Sequence, residues 1–159
     1  MPTPPVAVVT DSTHYLPKGM LDLVVVQEVS LYVNDGDHHE READMPDFDA
    51  YYERLRTAPE LPTTSQPSIG DFLAVYEPLV GAGRDVVSIH ISGGISGTVE
   101  SARQAAADAG GQIAVVDSES AAGGHCNGAK PVPRVVVFCH SPQLESARFS
   151  TARIAVNRS

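Results

Sequence analysis

A chain of 159 residues that is 42% hydrophobic and 19% charged has the size and composition of one globular core. Its net charge of −9, with no cluster of lysine and arginine to offset it, gives no electrostatic support to nucleic-acid binding or to attraction by an anionic membrane surface. No run approaches the roughly eighteen apolar residues of a membrane span, so stable membrane insertion is not expected. The start MPTPPVAVVTDST lacks the basic and apolar stretches of a secretory leader, and Cys126 and Cys139 are too few for a disulfide scaffold, so the expected compartment is the cytoplasm.

In chain order, Val6 to Thr10 is a short apolar run predicted as a strand that ends in Asp11-Ser12-Thr13. Val24 to Val33, rich in valine, reads as a second strand, with Leu16-Pro17-Lys18-Gly19 as punctuation between the two. The acid-crowded segment Asn34 to Asp44 carries the turn pair Asp35-Gly36 and is predicted as a loop. A helix follows from about Met45 to Ala58, with Asp44 as its cap and Pro46 in its first turn.

Ser68, followed three residues later by Asp71, forms a capping-box-like start to a helix whose apolar positions are Phe72, Leu73, Tyr76, Leu79 and Val80. Gly81 and Gly83 end it. Val86 to Ile91 then reads as a buried strand, Thr98 to Ala109 as an alanine-rich helix closed by Gly110-Gly111, and Ile113 to Val116 as a further strand. This alternation predicts an α/β fold, a mainly parallel sheet with flanking helices, whose ligands sit beyond the carboxyl ends of the strands. Asp11-Ser12-Thr13, Ser92 to Gly97 and Asp117 to Ser120 occupy such positions.

The loop Ser92-Gly93-Gly94-Ile95-Ser96-Gly97 sets three glycines and two hydroxyls immediately before a helix, so its backbone N–H groups and the positive helix end can face an anion. The plainer reading of the same residues is a tight turn and a cap. Pro62-Thr63-Thr64-Ser65-Gln66-Pro67-Ser68 reads as a rigid connector ahead of a helix, with Ser68 as the cap. Thr64 and Ser65 have no local role there and are ligand candidates.

The segments VAVVTDSTHYLP, DFDAYYERL, LPTTSQPSIGDFLAVYEPL, DVVSIHISGGISGTVESA and IAVVDSESAAGG stand in this order over Val6 to about Gly124. In order and spacing they resemble the DegV family, with TTSQPS and the loop ending in SGT the most distinctive. The resemblance implies a bacterial cytosolic protein that binds a long-chain fatty acid and presents its carboxylate to a fatty-acid kinase, with no covalent chemistry of its own and no cofactor. It also implies that hydroxyls of the two motifs hold the carboxylate. Carried over, these are Thr64 with Ser65, and Ser92 with Ser96, alongside Gly93 and Gly97 of the same loop. Relatives commonly read SSG where this chain has Ser92-Gly93-Gly94, so Gly93 replaces one candidate donor.

Residues 1–124 are thus expected to form a DegV-like amino-terminal, carboxylate-binding domain. Residues 125–159 form an atypical tail with both cysteines and a net positive charge, as a truncation or a frameshift would produce. The resemblance further implies an acyl tunnel between this domain and a larger second one, so a chain that lacks the second is expected to bind lipid poorly, or as a homo-oligomer that covers the groove. In the tail, Val135 to Phe138 could add a strand and Ser141-Pro142 a last helix.

Three further constellations complete the reading. His125-Cys126 and Cys139-His140 match zinc ligands in type but not in spacing, and the run Asp35, Asp37, His38, His39, Glu40, Glu42 and Asp44 reads as a solvated loop rather than a cation site, so no metal is expected. His90, inside an apolar strand, reads as a satisfied core histidine. The rival classes are a phosphoryl-transfer or hydrolytic enzyme built on Asp11, which lacks a GxxxxGK[ST] partner motif, and a non-functional fragment that merely folds.

Overall fold

The computed structural model describes residues 6–15, 26–45 and 48–121. Two sheets organise them. The larger is parallel, in the order β2-β1-β6-β7, and consists of β1 (Ala7–Asp11), β2 (Val26–Val29), β6 (Val86–His90) and β7 (Ile113–Asp117). The smaller is antiparallel, in the order β4-β3-β5, from β3 (Tyr32–Asp35), β4 (His38–Arg41) and β5 (Thr63–Ser65). Three α-helices accompany them: α1 (Phe48–Thr57), α2 (Ile69–Gly81) and α3 (Thr98–Ala109).

The α/β architecture with a parallel sheet is therefore as predicted. Helices α2 and α3 pack on each other and on the sheet, α2 against β2 and β6, and α3 against β6 and β7. Their contact is the core: Ala7, Val9, Val29, Phe72, Tyr76, Val86, Ala102 and Ala105 are all buried in one cluster. Small alanines on α3 let it approach the sheet closely, while α2 supplies the bulk. The start of α2 is a complete capping box: the Asp71 N–H donates to Ser68 Oγ, and the Ser68 N–H donates to Asp71 Oδ2.

Four expectations need correction. The predicted strand Val24 to Val33 is two strands in different sheets, because the chain turns at Ser30-Leu31. There the Leu31 N–H donates to Ser12 Oγ at 3.0 Å and Leu31 O accepts the Glu42 N–H at 2.9 Å, so the Leu31 backbone is engaged outside either ladder, while Ser30 Oγ accepts the Ala43 N–H at 2.9 Å. The predicted loop 34–44 is largely the β3–β4 hairpin, turning at Gly36 with φ +58, a conformation that suits glycine. Met45 does not start the expected helix, whose described part is Phe48–Thr57, and Pro46 lies outside the described residues. Asp44 belongs to a short 3-10 turn, Glu42–Asp44, and Met45 is buried in extended backbone. Finally, the connector 62–68 contains β5, which pairs with β3 through Thr64↔Val33 and Ser65↔Tyr32. The tail elements proposed at Val135 to Phe138 and beyond Ser141 lie outside the described residues.

Candidate functional site

The carboxyl end of β1 places Asp11 in the core rather than at a surface. It is 1% exposed, and both of its oxygens are taken. Oδ1 accepts from the N–H and hydroxyl of Thr13, while Oδ2 accepts from His90 Nδ1 at 3.0 Å and from the Ile91 N–H at 2.9 Å. Burial pushes this carboxyl up, but the hydrogen bonds from His90 and Thr13, the pull of His90 and the Ile91 N–H outweigh it, and the net shift is below the ordinary value. An aspartyl nucleophile needs an oxygen open to attack, and Asp11 has none.

His90 extends this network inward. Tyr76 donates to Ser88 Oγ at 2.7 Å, and Ser88 Oγ lies 2.6 Å from His90 Nε2. In the neutral tautomer that donates Nδ1–H to Asp11, Nε2 is the acceptor and takes the Ser88 proton. Burial pushes the Tyr76 hydroxyl up to about 12, with the Ser88 bond acting against it. Phe72 meets the His90 ring edge-on, 5.0 Å between centroids. A serine, a histidine and an aspartate in line resemble a hydrolytic triad, but Ser88 and His90 are each 0% exposed, so no substrate reaches them. His90 is the satisfied core histidine expected.

The loop that follows β6 holds Ser92, Gly93, Ser96 and Gly97. Its N–H groups are mostly engaged by the protein itself, contrary to the picture of amides facing an anion. The Ser92 N–H donates to Ser120 O, and those of Ile95 and Ser96 donate to Ser92 O. The Gly93 N–H donates to both Asp117 oxygens, at 3.1 and 3.2 Å, and the Gly94 N–H to Ser92 Oγ at 3.1 Å. The hydroxyls are what remain. Ser92 Oγ accepts from Gly94 and keeps a proton to donate. Ser96 Oγ and Thr98 Oγ1 lie 2.8 Å apart, and because Thr98 is fully buried, a proton is left for a ligand only in the arrangement where Thr98 donates to Ser96.

Thr64 and Ser65 lie on β5 with exposed side chains, and Ser65 Oγ accepts from Asn34 Nδ2 at 3.3 Å. The described contact between this segment and the serine-glycine loop is made by the next residue. Gln66 lies over Gly97, where a Cβ would overlap its amide, and Gln66 Nε2 donates to Ser101 Oγ at 3.0 Å. The reading of the motif passed over Gln66, whose only signal was its position inside TTSQPS. Gly97→Ala is expected to displace Gln66 and cost about 1 kcal/mol in urea unfolding, from the lost hydrogen bond. In a Gln66→Ala background the same substitution is expected to be silent, and an unchanged cost there would refute the contact.

Gly93 is equally specific, because a Cβ on it would stand 2.9 Å from Asp117 Oδ2. Among the described residues no three His, Cys, Asp or Glu side chains gather into a metal-binding group, and no helix is long and apolar enough to cross a membrane. His125-Cys126 and Cys139-His140 lie outside the described residues.

A family model described as an uncharacterised protein, DegV family, matches residues 5–130. The chain belongs to the DegV family. Protein DegV of Bacillus subtilis is 47% identical to it over 103 residues, which are 65% of this chain and 36% of that relative. A crystal structure described as DegV, a fatty acid binding protein from Bacillus subtilis, matches with a TM-score of 0.71 and 40% identity, over 76% of this chain and 43% of that one. A structure described as fatty acid binding of a DegV family protein from Thermus thermophilus matches with a TM-score of 0.69 and 38% identity, over 75% of this chain and 42% of that one. The chain thus spans well under half the length of these DegV relatives.

Proposed function

We propose that this domain grips the carboxylate of a long-chain fatty acid through neutral hydroxyl donors and presents it to a fatty-acid kinase, without covalent chemistry of its own. Thr64 and Ser65 supply donors from one side. Ser92 and Ser96 supply them from the other, in a loop whose Gly93 and Gly97 make room for Asp117 and Gln66. The observation that carries this reading is the donor inventory of the loop at 92–97: its amides are mostly used internally, and the Ser92 hydroxyl keeps a proton to donate, with Ser96 as a second donor when Thr98 donates to it, beside a motif joined to the loop by Gln66. Membership in a family whose relatives are described as fatty-acid-binding supports it.

Neutral donors suit a ligand that must be handed on. A bidentate arginine clamp would bind a carboxylate more tightly and shield the oxygen that a kinase must reach. The phosphoryl-transfer reading built on Asp11 has no comparable support, since that carboxylate is buried and fully bonded.

Thr64→Ala and Ser96→Ala are each expected to weaken binding of a fatty acid by about tenfold, the value of one hydrogen bond to a charged group. Titration of the 159-residue chain with palmitate reads this directly. Affinity unchanged in both variants would remove these residues from the site.

A further inference from the structure

We infer that Asp117 is a positioning residue for the carboxylate-binding loop, holding it by the Gly93 amide; this rests on the function proposed above. Strand β6 is central, flanked in parallel by β1 and β7. Its ladder to β1 ends at Thr10↔Ile89 and its ladder to β7 at His90↔Asp117. Beyond those points the chain leaves the sheet, and its N–H groups would be open to water.

Carboxylates from the two flanking strands take over. Asp11, at the end of β1, accepts the Ile91 N–H at 2.9 Å, and Asp117, at the end of β7, accepts the Gly93 N–H at 3.1 and 3.2 Å. Between them the Ser92 N–H is held by Ser120 O. Three successive residues, ending beside the Ser92 hydroxyl, are therefore fixed from both sides before the glycine turn begins. Asp117 is itself braced, since its Oδ1 also accepts the Glu119 N–H at 2.9 Å. A Cβ on Gly93 would stand 2.9 Å from Asp117 Oδ2, so a larger residue there requires the carboxylate to shift.

The charge makes the role testable by sign. A fixed carboxylate beside a carboxylate-binding loop repels the ligand, so removing a merely structural aspartate raises affinity for an anion. Removing a positioning aspartate lowers it, because the loop loses its shape. Asp117 is half-buried, which keeps the cost of its substitution to stability small beside that of Asp11.

The test uses the full 159-residue chain and sodium octanoate, followed by NMR titration, with urea unfolding run in parallel. Asp117→Ala is expected to weaken octanoate binding about tenfold despite the loss of a negative charge. Asp117→Asn, which keeps an acceptor oxygen for Gly93, is expected to bind at least as well as the unaltered chain. Binding by Asp117→Ala that equals or exceeds that of the unaltered chain overturns the inference, as does an asparagine variant no better than alanine. Failure of the unaltered chain to bind octanoate would count against the proposed function instead. In that case hydrogen exchange at the Gly93 amide decides: faster exchange in Asp117→Ala supports the clamp, and equal exchange refutes it.

Discussion

Replacing Asp11 by alanine is expected to lower the free energy of unfolding by about 3 kcal/mol, because each buried donor left without its acceptor costs about 1–3 kcal/mol. The substitution strands the His90 Nδ1–H and the Ile91 N–H in a core that also contains Phe72, Tyr76 and Ser88, and it strips Thr13 of its acceptor. Against a domain stability of about 5–15 kcal/mol this is a large fraction. Guanidinium unfolding monitored by circular dichroism measures it, and a loss of under about 1 kcal/mol would mean that the network is ornamental.

The same residue sets part of the acid response. Its carboxyl titrates below the ordinary value of 3.8, so folding favours the ionised form. The resulting stability is fully present above the unfolded-state value and drains away as pH falls through the folded-state one. Asp11→Asn, which keeps one acceptor oxygen and cannot titrate, is expected to be less stable at neutral pH and to show a flatter acid limb. An acid limb as steep as that of the unaltered chain would assign the response to other carboxylates.

A polypeptide of these 159 residues, kept monomeric, is expected to bind palmitate about four decades more weakly than a DegV relative of full length. The chain spans 43% of the Bacillus subtilis fatty-acid-binding structure it matches. Each methylene moved from water into an apolar site contributes about 0.8 kcal/mol, so leaving half of a sixteen-carbon chain in water forfeits about 6 kcal/mol. The hydroxyl donors at Ser92 and Ser96 cannot recover that, since each is worth about 1–3 kcal/mol at most. Calorimetry with palmitate and oleate on the monomer is the check, and submicromolar binding would overturn the expectation. Tight binding confined to a homo-oligomer would show that a second copy covers the acyl chain.

Local signals in the chain were legible and distant ones were not. Ser68 and Asp71 stand three residues apart, within one helical turn, and the capping box they announce is present. The apolar runs at β1, β6 and β7 likewise became strands of the parallel sheet. The β3–β4 hairpin stayed hidden because Asn34 to Arg41 is polar and largely exposed, so no alternation of burial was written into it. The break between β2 and β3 goes with the bonding of the Leu31 backbone to Ser12 and Glu42, which no local pattern encodes.

The loop at 92–97 shows the same division. Its glycines and serines mark a turn before a helix, but the direction of its amides is set by Asp117, 24 residues later, and the place of His90 by Asp11, 79 residues earlier. A pattern of residue types can show that a loop is rich in donors. Which of those donors are already spoken for is a tertiary fact.

The backbone of the Ser92 to Gly97 loop is held mostly by hydrogen bonds within the protein, and this bears on timing. A loop that orders only around its ligand must close before the ligand is held and open before it leaves, which ties residence time to a conformational step. Here the loop backbone is held by Ser120, Asp117 and its own Ser92, so a ligand's arrival and departure need not wait on ordering of that backbone. A backbone fixed in advance would suit the carrier role proposed above, since the loop need not refold between one ligand and the next.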